Sequence, residues 1–359
     1  MQEALELAEK ARGYTKTNPL VGAVIVNEGK IVGKGYHQYY GGDHAEVMAL
    51  KEAADKARGA SIYVTLEPCC HYGKTPPCTE AILKAGISKV YVAMEDCDKR
   101  VAGNGIKILR DKGIEVQVGL LEKEARWQNR AFIKSNQEKK PFVTLKYACS
   151  LDGKIATSTG QSKWITSEES RLDGHKYRGI VDGIVVGSNT ALLDNPILNN
   201  RSKRGKNPYK ILLDRRLKVP INWNIFQFNP ELTYIYTSSN EVEEIKKRES
   251  LGAKVIRIGE KEKHLDLQEL LQSLYDLKMG HILIEGGGEL HGSFVYENLF
   301  DEVILYYAPK LLGGKEAKNA VSGLGIESLD KAAEIDIVNV ERMGIDIKIH
   351  GVRRCLQEL

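Results

Sequence analysis

Short runs of apolar residues, separated by polar and glycine-containing turns, follow one another along the first third of the chain. Runs rich in β-branched residues predict strands at 21–26, 31–36, 62–66, 90–94 and 114–118. Segments with small and apolar residues at helical spacing predict helices at 4–11, 44–57, 79–85, 105–112 and 122–132. Strands that alternate with helices in this way favour an α/β sheet covered by helices.

A polar and charged segment at 136–141, which ends in Pro141, interrupts this pattern and is predicted to be a linker. Beyond it, strands are predicted at 142–149, 183–186, 210–213, 233–236, 254–258, 281–284 and 302–307. Helices are predicted at 167–178 and 266–277, and a terminal hairpin is predicted around 343–344. Because 359 residues exceed what one compact core usually holds, we expect two α/β domains, at 1–140 and 141–359.

The composition is that of an ordinary globular protein, with 42% hydrophobic and 28% charged residues. No run of about 18 apolar residues predicts a membrane span, and residues 1–12 lack the apolar core of a secretory signal, so we expect a cytoplasmic protein. A net charge of +4 is too small to indicate a nucleic-acid partner. Six cysteines are present, and three of them lie within residues 69–78, which favours metal binding over a disulfide framework.

The residues of the first third that could carry chemistry are His44, Glu46, Cys69, Cys70 and Cys78. One imidazole and two thiolates suit Zn²⁺, and three protein ligands leave a fourth position for an acidic water molecule. We therefore predict His44, Cys69 and Cys78 as the zinc ligands. Glu46, two residues after the histidine, is predicted to move the protons.

The spacing of these residues is close to a known signature. His-x-Glu followed by Pro-Cys-x-x-Cys is typical of zinc nucleobase deaminases, although the second half is stretched here to Cys69 and Cys78. Two alternatives stay open. In the first, Cys70 replaces Cys69 as a ligand. In the second, His44, Cys69, Cys70 and Cys78 together close a purely structural site, which would leave Glu46 without a role.

Four longer motifs surround these residues, at Thr17–Ala23, Gly33–His37, Gly41–Glu46 and Thr65–Cys78. Together they closely resemble the deaminase half of the bifunctional riboflavin-biosynthesis enzymes, in which a pyrimidine deaminase is fused to a reductase. The stretched cysteine spacing is the form that this family uses. The resemblance implies a cytidine-deaminase-like, three-layer α/β/α fold. It also implies a diaminopyrimidinone substrate that carries a ribosylamino 5′-phosphate.

The resemblance further implies that the deaminase pocket is lined by Asn18, His37, His71 and Lys74. The residue types fit, since an amide can read a base edge or a ribose hydroxyl and a lysine can pair with a phosphate. The alternatives are a turn-forming Asn18 and a solvated Lys74. The sequence departs from the family at 95–100, where an Asp-Pro-Asn-Pro-like turn is replaced by a segment without prolines.

A predicted strand at 282–284 runs into a glycine-rich turn at 285–288 and then into a helix. Glycines let a backbone approach a phosphate, and a helix N-terminus donates N–H groups, although this turn is not the G-x-G-x-x-G dinucleotide fingerprint. Together with segments 150–166 and 185–196, the turn resembles the reductase half of the same family. The resemblance implies a dihydrofolate-reductase-like α/β fold and NADPH as the cofactor. It also implies reduction of the sugar of the deaminated product to a ribityl chain.

By this resemblance, the cofactor is held by Ala148, Trp164, Thr190, Asp194, Gly287, Gly288, Glu289, Leu290, His291, Gly292 and Ser293. The substrate is held by Ser162, Arg178, Leu198, Arg201 and Glu285. The residue types fit, since two arginines can grip a phosphate and a tryptophan offers the cofactor a flat surface. The alternatives are a core position for Trp164 and a surface ion pair on its own helix for Arg178. Glu285 and Asp194 are the candidate acids for the hydride step, and Arg215–Arg216 is a candidate for selecting NADPH over NADH.

The sequence thus predicts a bifunctional enzyme that deaminates a small phosphorylated pyrimidine with zinc and then reduces the product with NADPH. We expect a homo-oligomer without nucleic-acid or membrane partners. The main alternative is a nucleic-acid-editing zinc deaminase with an accessory binding domain, which an aromatic content of only 7% disfavours. A zinc-stabilised structural protein is the third hypothesis.

Overall fold

The computed structural model describes residues 1–72, 76–98, 102–202 and 204–354. The chain divides into two compact units, of which the first is Met1–Lys139 and the second begins at Lys140. In the described ranges, every helix is too short or too polar to cross a membrane.

The first unit is built on a five-stranded mixed sheet. Its strands are β1 (Gly22–Asn27), β2 (Lys30–Tyr36), β3 (Ser61–Val64), β4 (Lys89–Val92) and β5 (Glu115–Val118). They lie in the order β2-β1-β3-β4-β5. β1 pairs antiparallel with both β2 and β3, whereas β3, β4 and β5 run parallel, so the predicted hairpin and the predicted strands are confirmed.

Helices cover both faces of this sheet. They are α1 (Gln2–Glu9), α2 (Ala45–Ala53), α3 (Cys78–Ala85), α4 (Asn104–Asp111), α5 (Glu122–Gln128) and α6 (Arg130–Glu138). A Cβ atom at Gly22 would lie 1.9 Å from the carbonyl oxygen of Ala4 in α1, and one at Gly35 would lie 2.2 Å from that of Ala45 in α2. Gly35 pairs with Ala23, and paired residues lie on the same face of a sheet. Ala23 follows Gly22 in β1 and so faces the opposite side, which places α1 and α2 on opposite faces. The three-layer α/β/α prediction is confirmed.

Two predicted helices and the predicted linker differ from the structure. The helix predicted at 44–57 is α2 followed by a 3₁₀ turn, Ala54–Ala57. The helix predicted at 122–132 is divided at Asn129 into α5 and α6. The linker prediction is wrong in its first half, because α6 continues to Glu138 and ends where Lys139 takes a left-handed conformation.

The second unit contains thirteen described strands. They are β6 (Phe142–Ser150), β7 (Lys154–Ala156), β8 (Gly183–Gly187), β9 (Tyr209–Leu213), β10 (Thr233–Thr237), β11 (Lys254–Arg257), β12 (Glu260–Lys261), β13 (His264–Leu265), β14 (His281–Ile284), β15 (Glu302–Ala308), β16 (Lys318–Asn319), β17 (Ile335–Met343) and β18 (Asp346–Arg353). Nine of them form one sheet in the order β11-β10-β9-β8-β14-β6-β15-β18-β17. The first seven in this order run parallel, and the terminal hairpin β17–β18 adds two antiparallel strands.

Helices and apolar side chains lie on both faces of the large sheet. The helices are α7 (Glu168–Ile180), α8 (Ser188–Asp194), α9 (Asn224–Gln227), α10 (Val242–Glu249), α11 (Leu267–Asp276) and α12 (Gly288–Tyr296). Along β8, Val185 belongs to one buried apolar cluster and its neighbours Ile184 and Val186 belong to another. The predicted α/β class is confirmed for both units. The carboxyl ends of β6, β8 and β14 lie at one edge of the sheet, where ligands of open α/β sheets usually bind.

Candidate active sites

Three segments of the first unit bring a metal-ligand set together. His44 precedes α2, Cys69 lies in the loop after β3, and Cys78 is the first residue of α3. The Nδ1 atom of His44 lies 3.4 Å from the Sγ of Cys69 and 3.2 Å from the Sγ of Cys78. All three ligand atoms lie within 4.8 Å of one another. This spacing fits one Zn²⁺ ion, whose bonds to nitrogen and sulfur are about 2.0–2.3 Å long.

The ligand set has three members among the described residues, and Cys70 is not one of them. Three protein ligands leave one coordination position for water, which is typical of catalytic zinc sites, whereas structural sites are closed by a fourth residue. A hydrogen bond with Cys78 is the largest cause that lowers the pKa of Cys69, to about 4, so this group is a thiolate at neutral pH. The structure thus places Cys69, which we predicted as the ligand, in the cluster.

Glu46 lies in the first turn of α2, two residues after the histidine, and is 3% exposed. Burial is the main cause that raises the pKa of Glu46 to about 7, and the negative charge of Cys69 adds to it. A carboxyl group that titrates near neutral pH can both accept and release a proton.

Asn18 and His37 lie together beside this cluster. The Nδ2 of Asn18 is 3.0 Å from the Nε2 of His37, and the Nδ1 of His37 is 3.1 Å from the carbonyl oxygen of Asp43. This pairing assigns the proton of the imidazole to Nδ1, which donates to the carbonyl oxygen, while Nε2 accepts from the amide. The ring of His37 meets the ring of His44 edge to face, with 5.9 Å between the ring centres. The Asn18 side chain is therefore engaged next to a metal ligand.

His71 is exposed in the loop that connects Cys69 with Cys78. Burial raises the pKa of the nearby Asp96 carboxyl group to about 6. His71 lies near enough to oppose part of this rise. Asp96 belongs to segment 95–100, which departs from the family pattern. The predicted substrate residue His71 therefore lies near this segment. Lys74 lies outside the described residues.

Glu67 is a functional candidate that sequence reasoning missed. This residue is 3% exposed and lies two positions before Cys69. Its carboxylate accepts backbone N–H bonds from four residues, at 2.9–3.2 Å: Asp96, Gly103, Gly105 and Ile106. A Cβ atom at Gly105 would lie 2.1 Å from the carbonyl oxygen of Pro68. Glu67 thus ties the segment that carries Cys69 to the loop that carries Asp96.

In the second unit, Arg178 of α7 and Glu285, which follows β14, form a nearly buried ion pair. The Nη2 of Arg178 donates to the Oε2 of Glu285 at 2.6 Å, and the Nε donates to the Oε1 at 3.3 Å. Their side chains are 17% and 11% exposed. The alternative that Arg178 pairs with a neighbour on its own helix is wrong, because Glu285 comes from the edge of the sheet. Two predicted substrate residues are therefore in direct contact.

Lys146 and His175 extend this pair into a charged cluster that the sequence did not reveal. Burial lowers the pKa of Lys146, and the charge of Glu285 opposes that shift. Burial also lowers the pKa of His175 to about 4, with Arg178 and Arg201 as the next causes. The Nδ1 of His175 is buried without a hydrogen-bond partner. The positive charges of Arg178 and Lys146, and of Arg201, which lies near enough to affect His175, suit a phosphorylated substrate.

The glycine-rich turn lies beside the start of α8. The Oγ1 of Thr190 accepts a hydrogen bond from the backbone N–H of Gly287 at 3.0 Å, so two predicted cofactor residues are in contact. A Cβ atom at Gly287 would meet only this Oγ1, at 3.7 Å, which leaves space over the turn. An uncovered backbone turn at a helix N-terminus is the arrangement that binds phosphate groups in nucleotide sites, so the turn fits NADPH.

The helix after this turn is packed closely on its other side. A Cβ atom at Gly288 would lie 2.2 Å from the carbonyl oxygen of Asn319, and one at Gly292 would lie 1.5 Å from that of Ser322. The side chain of His291 is fully buried, with its Nε2 3.2 Å from the carbonyl oxygen of Ile284. Two of the glycines therefore have a packing role, and His291 can reach a cofactor only through its backbone.

Trp164 is 63% exposed, so the alternative that it belongs to the core is wrong. The guanidinium group of Arg171 lies 4.4 Å from the centre of its ring. The other predicted residues of this unit are placed as follows: Ala148 is half-buried on β6, Ser162 is half-buried in the loop before α7, Asp194 is exposed at the end of α8, Leu198 is buried, Arg201 is exposed, and Arg215 donates to the Oε2 of Glu260 at 2.8 Å. Their roles stay predictions.

Taken together, the fold and the two sites define an enzyme with a metal-dependent deaminase unit and a second α/β unit that fits a nucleotide cofactor. Two family models match the chain. Residues 1–94 match the cytidine and deoxycytidylate deaminase zinc-binding region, and residues 141–349 match the RibD C-terminal domain.

Similar proteins match over nearly the whole chain. The riboflavin biosynthesis protein RibD of Bacillus amyloliquefaciens is 43% identical over 354 residues, which covers 98% of this chain and 95% of the relative. That of Aquifex aeolicus is also 43% identical, over 97% of this chain and 96% of its own length. The solved structure of Acinetobacter baumannii RibD has a TM-score of 0.89 at 37% identity and covers 98% of this chain and 97% of its own.

A Thermotoga maritima protein adds a chemical description. It is described as a diaminohydroxyphosphoribosylaminopyrimidine deaminase and 5-amino-6-(5-phosphoribosylamino)uracil reductase, and its structure superimposes with a TM-score of 0.87 at 36% identity, over 98% of this chain and 97% of its own. The chain belongs to the RibD family. It is a bifunctional deaminase and reductase of riboflavin biosynthesis, and its cofactors are zinc and NADPH.

Proposed function

We propose that the first unit deaminates 2,5-diamino-6-ribosylamino-4(3H)-pyrimidinone 5′-phosphate and that the second unit reduces the product. The reduction converts 5-amino-6-(5-phosphoribosylamino)uracil to its ribityl form. The observation that carries the first half is the cluster of His44, Cys69 and Cys78 with the buried Glu46 beside it.

In the deaminase unit, His44, Cys69 and Cys78 hold the zinc ion. When bound, zinc would lower the pKa of a water molecule, so that hydroxide would be available at neutral pH to attack a ring carbon that bears an amino group. Glu46 can take one proton from this water and deliver it to the ring nitrogen, and it can then pass the second proton from the same oxygen to the amino group, which leaves as ammonia. Burial keeps the Glu46 carboxyl group away from bulk water.

The predicted substrate residues of this unit are Asn18, His37, His71 and Lys74. Asn18 and His37, which are hydrogen-bonded to each other, face the base or the ribose, and His71 and Lys74 hold the remainder of the substrate, with the lysine on its phosphate. The hydrogen bond from His37 to the carbonyl oxygen of Asp43 fixes the tautomer of the ring. Asn18 therefore has an acceptor on a fixed imidazole, and its amide oxygen remains for the substrate.

In the reductase unit, NADPH supplies the hydride. Ala148, Trp164, Thr190, Asp194 and residues Gly287–Ser293 would hold the cofactor, with the backbone of the glycine-rich turn and the exposed indole providing contacts. Arg178 and Arg201 hold the substrate phosphate, with Ser162, Leu198 and Glu285 completing the pocket.

The proton that accompanies the hydride comes from Lys146. Asp194 is exposed at the end of α8, whereas Glu285 lies at the carboxyl edge of the sheet beside Lys146, whose pKa burial lowers. Burial makes the ammonium group of Lys146 release a proton to the sugar more readily than a solvated lysine does, whereas Glu285 is ionised and cannot supply that proton itself. We also propose a cytoplasmic homo-oligomer that acts on small phosphorylated pyrimidines and not on nucleic acid.

The test is a coupled assay in which ammonia and NADPH are followed separately. We expect ammonia release from the diaminopyrimidinone ribosyl phosphate, and NADPH oxidation only after deamination or when the deaminated product is supplied. A chelator should stop ammonia release but not NADPH oxidation with the supplied product. Ammonia release from cytidine in RNA, in the absence of release from the ribosyl phosphate, would refute the proposal in favour of an editing deaminase.

A further inference from the structure

Residues 310–322, here called the strap, follow β15 and contain β16. The strap crosses the reductase unit between elements that are far apart in the sequence. β16 pairs with β7, and the backbone N–H of Ala320 donates to the carbonyl oxygen of Gly153 at 3.0 Å. The strap is therefore attached to the turn between β6 and β7.

Asp152 makes the central part of that attachment. Its Oδ2 accepts the backbone N–H of Gly313 at 2.7 Å, and its Oδ1 accepts that of Leu312 at 3.1 Å. The hydroxyl group of Ser150 donates to the Oδ1 at 2.5 Å and orients the carboxylate. Both carboxylate oxygens therefore serve the strap, so Asp152 does more than stabilise its own turn. The ordinary reason for an aspartate in this position, a local turn, does not explain contacts with residues about 160 positions away.

The two ends of the strap contact two elements of the proposed cofactor site. The Nζ of Lys310 donates to the carbonyl oxygens of Trp164 and Ile165, at 2.9 and 2.7 Å. At the opposite end, the backbone N–H of Ser322 donates to the carbonyl oxygen of Gly288 at 3.0 Å. The strap thus contacts both the loop that presents the exposed indole and the glycine-rich turn.

Close packing makes the contact at the glycine-rich turn sensitive to small movements. Backbone atoms of Asn319 and Ser322 approach Gly288 and Gly292 so closely that neither glycine could carry a Cβ atom. A strap that shifts by a fraction of an ångström must therefore move the turn or lose its packing. Between these two ends, the carboxylate of Asp152 holds residues 312 and 313, where it adds to the attachment made by the pairing of β16 with β7.

We infer that Asp152 is a positioning residue for NADPH: by holding residues 312 and 313, it sets where the strap places Trp164 and the Gly288 backbone. This inference rests on the proposed function, because it takes these two elements as cofactor contacts. Asp152 itself is not assigned a contact with the cofactor or the substrate.

The test compares Asp152→Ala and Asp152→Asn with Glu316→Ala, which removes an exposed carboxylate from the same strap. NADPH affinity is measured directly by quenching of tryptophan fluorescence, and KM and kcat are measured with the deaminated product. We expect Asp152→Ala to raise the Kd and KM for NADPH by about tenfold or more, with a much smaller change in kcat at saturating NADPH. Asp152→Asn should lie in between, because it keeps one acceptor oxygen, and Glu316→Ala should match the unaltered chain.

Ammonia release by the same preparations shows that the deaminase unit is folded, and we expect it to be unchanged in all three variants; the calorimetric transition of the reductase unit shows that the second unit is folded. An NADPH Kd within about twofold of the unaltered chain in Asp152→Ala would overturn the inference. So would a lower thermal stability of the reductase unit with unchanged NADPH affinity, since the role would then be structural only. If the unaltered chain itself fails to bind NADPH, the proposed function fails first, and that outcome is separate from the variant comparison.

Discussion

Replacing one partner of the Arg178–Glu285 pair should destabilise the reductase unit measurably. Burial by itself would raise the pKa of Glu285, but the charges of Arg178 and Lys146 outweigh it and lower the pKa from 4.5 to about 2. A difference of that size corresponds to roughly 3 kcal/mol in favour of the ionised carboxylate. Because Arg178 is the largest favourable cause and also donates both hydrogen bonds, we assign about 2 kcal/mol of this to Arg178.

The perturbation is a double-mutant cycle of Arg178→Gln, Glu285→Gln and the combined variant. Each single change leaves a charge without its main partner in a nearly buried site, whereas the double change removes both charges. We expect the double variant to be more stable than the sum of the single effects predicts, by about 2 kcal/mol. For a unit of this size, that corresponds to roughly 4–8 °C in the calorimetric transition of the reductase unit.

The pH dependence has a defined sign. The folded-state pKa of Glu285 lies below its ordinary value, so its contribution is complete above about pH 4.5 and is lost as the pH falls toward 2. The difference in stability between the unaltered chain and Arg178→Gln should therefore narrow below about pH 4.5. The exposed pair of Lys246 and Glu243, at 3.5 Å, serves as the control and should show coupling below about 0.5 kcal/mol. A coupling free energy between Arg178 and Glu285 no larger than that of the control pair would show that the two charges do not stabilise each other.

Three further changes test other parts of the structure. Gly292→Ala places a Cβ atom against the carbonyl oxygen of Ser322, so it should lower the thermal stability of the reductase unit by more than about 2 kcal/mol and weaken NADPH binding in a fluorescence titration. Cys69→Ser should lose zinc and ammonia release, whereas Cys70→Ser should keep both. Metal analysis showing zinc loss only in Cys70→Ser would identify Cys70, and not Cys69, as the ligand. Glu67→Gln keeps one acceptor oxygen for four backbone donors and should destabilise the deaminase unit by about 2–3 kcal/mol, which calorimetry of the zinc-loaded chain can measure against an unchanged reductase transition.

The zinc set could be predicted from sequence because its chemistry is local. His44 and Glu46 share the start of one helix, and Cys69 and Cys78 are nine positions apart at the two ends of one loop. Residue type and spacing therefore determine most of the arrangement before the fold is known. The sequence already favoured Cys69 over Cys70, and the structure places Cys69, and not Cys70, in the ligand cluster.

The charged cluster of the reductase unit could not be predicted in this way. Lys146 lies in the middle of an apolar strand, and only the pairing of β6 with β14 brings it beside Glu285. His175 and Arg178 share a face of α7, but their burial depends on the sheet on which that helix packs. The role of Asp152 likewise depends on contacts with the strap, which lies far away in the sequence.

Some helices were missed because their stability is not expressed as an apolar pattern. α10 has the sequence Val-Glu-Glu-Ile-Lys-Lys-Arg-Glu and is charged on most of its surface. Glu244 pairs with Lys247 and with Arg248 at helical spacing, and Arg248 also donates to the carbonyl oxygens of Leu217 and Val219. Ion pairs along the helix and one buried guanidinium group stabilise it in place of an apolar face.

We propose that Glu46 moves the protons of a zinc-dependent deamination that is separate from the reduction. The most direct measurement uses Glu46→Gln, with zinc content, ammonia release and NADPH oxidation followed in the same preparation. We expect about one zinc per chain, ammonia release reduced by a factor of at least about 10², and unchanged NADPH oxidation with the supplied deaminated product. Undiminished ammonia release from a zinc-loaded Glu46→Gln chain would contradict it.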